Sequence, residues 1–311
     1  MLTVAIAFAM NVLVAIAKSI AAVVTGSASM MAEAAHSWAD AGNEVFLLIA
    51  ERRGAKGRDR KHPFGYGRET YVWSMIAAFG LFTVGAVVSI MHGINAWSEP
   101  EAESNYLVGY IVLAIAAVLE SVSFAQTIRE AKAGGRRMSM HPLKFVSRTG
   151  DATLRAVFAE DAAALIGLVI AAAGMGLHQV TGDGRWDAVG SILVGVLLGF
   201  VALFLIGRNR QFLVGQVAPP QVQTEVLARM LARPDIDRVT YLHVEYVGPS
   251  QFYLVAAVDI VGDLAESSLA PKLRKIEADI ERDEMIVEAV LTLSTDDERS
   301  LSHADEGPIT L

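Results

Sequence analysis

His36 and Asp40 stand four residues apart in a stretch that otherwise reads as membrane-spanning, Ser27 to Ala50. One helical turn separates them, so both side chains project from the same side. An imidazole and a carboxylate at that spacing can grip one metal ion from a single helix. An ionisable group in a bilayer core costs roughly 2.5–3.5 kcal/mol on insertion scales, so it has a task or a partner. Asp161 lies inside a later apolar stretch, VFAEDAAALIGLVI, directly after Glu160. Adjacent residues are turned by about 100°, so only one of these two carboxylates can face the second helix squarely. His36, Asp40 and Asp161 together offer one nitrogen and two carboxylates. That set suits Zn2+, with a fourth position for water or another side chain. Two carboxylates also neutralise a divalent charge where the dielectric is low.

Structural readings of the same residues stay open. His36 with Asp40 is also a hydrogen-bonded pair that could fix helix packing, and Asp161 could pair with Arg155. Glu120, Asn43 and Glu160 are spare groups for the metal or a proton. Lys18 can snorkel to the interface, and Asn11 suits interhelical hydrogen bonding. His92 and His178 fall near span ends and read as solvated, and His243 reads as a structural residue on a strand.

These residues need helices to hold them. Six windows are long and apolar enough to span, at 3–24, 28–50, 71–93, 106–127, 153–176 and 187–207. The first carries no basic residue ahead of its apolar run, and the run is long, so a span is expected rather than a signal peptide. The second is the least apolar. Its Glu33, His36, Asp40, Asn43 and Glu44 fall within an arc of about 100°, as suits a helix with one face toward a bundle. Gly195 and Gly199 stand at a GxxxG spacing; close packing and chance in an Ala/Gly-rich helix are equal readings. Trp73, Trp97, Tyr106 and Trp186 sit near span ends, where interfacial aromatics are expected.

The chain is 311 residues, 53% hydrophobic and 19% charged, with positive mean hydropathy, which suggests a polytopic membrane protein with a soluble part. From Arg208 onward 10 Lys+Arg face 18 Asp+Glu, a balance of −8, while the first 207 residues balance to zero. An acidic tail argues against a nucleic-acid partner. Cysteine is absent, so neither disulfides nor thiolate metal sites arise. There is no HExxH, GxSxG or P-loop to support an enzyme. The segments after the second and fourth spans are basic, with Arg136, Arg137 and Lys144 in the latter. The turn after the third is acidic, with Glu99, Glu101 and Glu103. Positive charge favours the cytoplasm, which places both termini there.

After Pro219-Pro220 the pattern changes. Gln221–Ala232 and Leu269–Arg282 read as helices; Val239–Val247, Phe252–Ile260 and Val287–Ser294 read as strands. The expected organisation is a six-span transmembrane domain over 1–207, a cytoplasmic α+β domain over 208–296 and a flexible tail over 297–311. A domain of about 80 residues is near the lower size for independent folding, so dimerisation would help it.

The His36-xxx-Asp40 pair, Asp161 in the fifth span, the cytoplasmic HPFGYGRE (His62 to Glu69) and the α+β tail resemble the cation diffusion facilitator family over nearly the whole chain. FAEDAAALIG and MGLHQVTGDGRWDAVGSILVGVLLG are most similar to its zinc transporter 9 branch. The resemblance implies a homodimer, a six-helix bundle per protomer and a ferredoxin-like αββαβ cytoplasmic domain. It also implies export of Zn2+, or Fe2+, Mn2+, Co2+ or Cd2+, in exchange for protons by alternating access. The metal is substrate and not cofactor, and the partners are that cation, protons and the bilayer. Two departures stand out. Family members commonly place His or Asp four residues before the fifth-span Asp, where this chain has Val157. Many carry several His in the tail domain, where this chain has only His243 before His303, and the loop after the fourth span lacks a His-rich tract. Val157 motivates an alternative, a non-transporting metal-binding or scaffold protein that retains the fold. A transit peptide is not evident, so a bacterial plasma (inner) membrane is expected.

Overall fold

The computed structural model describes residues 2–98, 105–138 and 140–302, with side chains from residue 8. Glu99, Glu101, Glu103 and His303 lie outside the described residues. The chain divides into two compact units, Met1–Glu51 with Val72–Arg210, and Arg52–Tyr71 with Gln211–Leu311.

The larger unit is helical. α1 (Leu2–Thr25) and α2 (Ala28–Gly54) are joined through Gly26, whose φ of +66° suits a residue without a Cβ. α3 (Glu69–Gly80), a π-helical segment (Leu81–Val87) and α4 (Val88–Ser98) follow one another without a break. α5 (Tyr106–Arg137), the short α6 (Pro142–Arg148), α7 (Ala152–Thr181) and α8 (Arg185–Gly215) complete the set. Asp151 caps α7 by accepting from the Leu154 N–H at 2.9 Å, and Gly182 ends it with φ +71°. Among the described residues five helical stretches are long and apolar enough to cross a membrane: Phe8–Thr25, Glu69–Ser98, Tyr106–Arg137, Ala152–Thr181 and Arg185–Gly215. α2, at 27 residues, is long enough but carries too many charges to join them by composition.

Two apolar clusters build this unit. One joins Ala32, Ala39 and Leu47 of α2 to Leu81, Ala156, Ala163, Val194 and Leu198. The other joins Met30 and Ala34 of α2 to Ala21, Ala22, Leu113, Ala116, Leu168 and Met175. α2 and α7 contribute to both, so they form the middle of the bundle. That is why α2 can be polar: its neighbours are protein rather than lipid. Gly195 makes one of the closest approaches, since a Cβ there would fall 2.6 Å from Ile90 Cγ1 and 2.9 Å from the Ala86 carbonyl. Gly199 meets only ordinary contact, at 3.6 Å from Ala86 Cβ.

The smaller unit follows the order α9 (Pro220–Leu231), β1 (Ile236–Gly248), β2 (Gln251–Ile260), α10 (Glu266–Ile280), β3 (Ile286–Leu293), the expected αββαβ. β1 and β2 are antiparallel with Val244 opposite Leu254, and β2 and β3 are parallel with Ala256 opposite Leu291. Val239, Val244, Leu254 and Ala256 of the sheet are buried, as are Leu227, Met230 and Ile276 of the helices, with an irregularity between Val239 and Tyr241 shifting the alternation along β1. Both sheet edges are covered. Glu277 of α10 and Glu281, just past its end, accept from the Leu291 and Ala289 N–H groups of β3 at 2.8 and 3.0 Å. On the other edge, Ala218 donates to the Val244 carbonyl and Tyr246 to that of Gln216. These bonds take up edge groups that another strand would otherwise pair with.

Residues 52–71, which connect α2 to α3, belong to this smaller unit. Gly67 lies against Gly248 at the β1–β2 turn, where a Cβ would come within 2.6 Å of its Cα. Arg68 pairs with Glu245 at 2.7 Å, and the Phe64 ring meets Tyr253 edge-on at 5.0 Å. Within the loop, Asp59 accepts from the Tyr66 hydroxyl and from the His62 and Lys61 amides. These bonds, with Tyr66 first, hold its carboxyl down at about 2.

Candidate metal centre

α2 starts where Asp187 of α8 caps it. Its carboxylate accepts from the Ser27 hydroxyl at 2.9 Å and the Ala28 N–H at 2.5 Å. With that end fixed, Glu33, His36, Asp40 and Asn43 are set along one stripe at helical spacing. His36 is fully buried, and its Nε2 stands 3.5 Å from Asp40 Oδ2. That is an electrostatic contact and not a hydrogen bond. Both imidazole nitrogens, Asp40 Oδ1, Asn43 Oδ1 and Ser37 Oγ are buried without a hydrogen-bond partner. Native interiors rarely leave such atoms unmet, since each costs about 1–3 kcal/mol. An imidazole and a carboxylate with free lone pairs are the donors a divalent ion takes.

The fifth-span carboxylates separate. Asp161 turns to α5, where its Oδ2 accepts from Ser123 and Thr127, each at 3.0 Å. Glu160 turns to α2, where its Oε1 accepts from Asn43 Nδ2. Asp40 lies in the fields of Glu160, Glu120, Lys18 and Glu33. The expected trio of His36, Asp40 and Asp161 is therefore brought together only in its α2 half. The rotation of about 100° between neighbours gives the α2 side to Glu160. Among the described residues no three His, Asp or Glu groups converge to hold a metal. Glu120 is half-buried on α5, in the fields of Lys18 and Asp161. Val157 packs as an apolar neighbour of the core.

Arg155 donates to the Thr149 carbonyl and to Asn209, each at 2.7 Å. Asn11 bridges to Glu44 Oε1 at 2.7 Å, as interhelical hydrogen bonding predicts. His178 contacts the Tyr106 hydroxyl, and His243 lies 3.4 Å from Glu245 on β1. Lys18 does not snorkel. It is fully buried and its Nζ meets Glu33 Oε2 at 2.9 Å, both side chains being 0% exposed. Glu33 belongs to the polar stripe legible in the sequence, but its partner on α1 carried no signal beyond being a lysine in an apolar run.

Residues 4–214 match the cation efflux transmembrane domain. The chain belongs to the cation diffusion facilitator family. Relatives of this cation diffusion facilitator include the proton-coupled zinc antiporter SLC30A9, mitochondrial, of Xenopus laevis, which is 36% identical over 258 residues, 82% of this chain and 46% of that protein. Metal tolerance protein C4 of Arabidopsis thaliana is 35% identical over 236 residues, 76% of this chain and 51% of its own length. The chain thus spans about half the length of these two curated relatives. The cation efflux system protein CzcD of Alcaligenes sp. (strain CT14) is 23% identical over 277 residues, 88% of this chain and 81% of that one. The family and its apolar helices make this facilitator an integral membrane protein.

Proposed function

We propose that the chain carries a divalent cation, zinc before Fe2+, Mn2+, Co2+ or Cd2+, out of the cytoplasm in exchange for protons. The observation that carries this reading is the pair of unbonded imidazole nitrogens on His36 beside Asp40, buried in the central helix. A borderline-soft ion suits that nitrogen-and-oxygen set. Protons and metal compete for it, because both ligands must be deprotonated to bind. Asp161 of α7 completes the site after a rotation of about 100°, with Glu160 as an accessory carboxylate. Asn43 and Glu120 are accessory. Alternating access around a midplane site lets metal load from one side and protons eject it toward the other. The names of SLC30A9 and CzcD support both halves of the reading, zinc with protons and cation efflux.

α2 serves as a sixth span, so both termini are cytoplasmic, as the basic loops favour. The setting proposed is a bacterial inner membrane, one relative being the cation efflux system protein CzcD of Alcaligenes sp.. The domain boundary falls near residue 208, and two protomers associate through both domains. The test is zinc uptake into proteoliposomes under a pH gradient. Wild type should accumulate zinc, and His36→Ala or Asp40→Asn should fall to the level of protein-free vesicles. Uptake at the wild-type rate in both would overturn the assignment. Zinc binding without proton-coupled uptake would favour the non-transporting reading.

A further inference from the structure

Lys18 and Glu33 have no part in the scheme above, yet they form a fully buried ion pair at 2.9 Å. Such a pair is poor glue. Apolar side chains of similar volume in its place are often neutral or stabilising, so its presence asks for another reason.

The surroundings of Glu33 supply one. It precedes His36 by three residues and Asp40 by seven, so the three share a stripe, with Glu33 about 4.5 Å nearer the start of α2 than His36. One carboxylate oxygen is held by Lys18. The other, Oε1, is buried without a hydrogen-bond partner. It is tucked against α7 at Gly167, where a Cβ would approach it to 2.5 Å. Any larger residue at 167 would close the space. A free carboxylate oxygen is thus presented at the α2–α7 contact, the same pair of helices that carries His36, Asp40 and Glu160. The ammonium of Lys18 also lies in the fields of Glu120 and Asp40.

We propose that Lys18 is a tethered cation that competes with the transported metal for the carboxylates of this cluster, and that Glu33 is a transit ligand one turn from His36. While metal sits on His36 and Asp40, the ammonium neutralises Glu33. When the metal advances to the free oxygen of Glu33, the ammonium is repelled and turns to Asp40 and Glu120, which have just lost their cation. The swap keeps the buried carboxylates neutralised and opposes return of the metal. It rests on the transport reading above. Lys18 acts here as a positioning residue.

The experiment compares wild type, Lys18→Arg and the double variant Lys18→Met/Glu33→Gln in full-length protein. The double variant leaves the net charge unchanged and removes the buried pair cleanly, so it should fold, as thermal unfolding in detergent will report. Zinc binding is read by calorimetry and flux in proteoliposomes. We expect the double variant to bind zinc but to lose at least tenfold in flux, and Lys18→Arg, which keeps the tethered cation, to retain most of the wild-type flux. Wild-type flux in the double variant would overturn the tethered-cation role, with the transport reading intact. A wild type that takes up no zinc would overturn both. Parallel loss of binding and flux in a folded double variant would make the pair a support for the site only, and would also overturn the proposal.

Discussion

In the smaller unit Arg229 reaches Glu225 at 2.8 Å and Asp283 at 3.0 Å with its side chain 61% exposed; in the larger unit Lys18 reaches Glu33 at 2.9 Å with neither exposed. The distances are alike and the energetics are not. Water around Arg229 screens its partners and offers substitutes for them. Around Lys18 no solvent screens the pair, so removing one partner leaves the other as a burden. The contrast extends to whole units. The small one displays ion pairs such as Arg282–Asp279 and Arg238–Asp259 toward its surface. The larger one keeps His36, Asp40 and Asn43 inside with bonding capacity unused. Satisfied polar groups hold a fold, and unsatisfied buried ones mark where something else binds.

The sharpest way to break this contrast is to remove one charge from each unit. Lys18→Met should destabilise the protein by about 3–5 kcal/mol, because Glu33 is left buried and alone. Arg229→Ala should cost ~1 kcal/mol or less. Thermal unfolding of both in the same detergent checks this, and equal shifts would erase the distinction. A smaller effect is expected at the cap of α2. Asp187→Ala leaves the Ala28 N–H and the Ser27 hydroxyl without their acceptor, a loss of about 1–2 kcal/mol. It should also lower zinc affinity, since α2 carries His36 and Asp40.

The smallest effect concerns the 52–71 loop. Asp59 has its folded value at about 2, below the ordinary 3.8, through its bonds from Tyr66 and the His62 and Lys61 amides. A depressed carboxylate adds stability that is complete above its unfolded value and lost as pH falls through the folded one. The loop contact should therefore persist at pH 4 and disappear toward pH 2, while Asp59→Asn should lack the pH dependence. Tyrosine resonances of labelled protein would report it. A midpoint near pH 4 would mean that the Asp59–Tyr66 bond is not made.

Much of the architecture was legible from local signals. Apolar windows marked five spans, and a change from helical to alternating periodicity after Pro219-Pro220 marked the αββαβ unit. α2 was legible only through its polar stripe, because its charges lower its hydropathy below that of a span. The π-helical segment at 81–87 and the attachment of residues 52–71 to the small unit had no local signature. Both depend on what packs against them: Gly85 meets Leu198 of α8, and Gly67 meets Gly248.

The sequence by itself determined that one helix offers an imidazole and a carboxylate one turn apart inside a membrane bundle, since residue type and helical period are enough for that. Tertiary structure alone decided that Glu160 rather than Asp161 turns toward α2, and that Lys18 is locked to Glu33. The reason is rotational. A helix fixes the angle between its own residues, but only packing against other helices fixes which way that set of angles points.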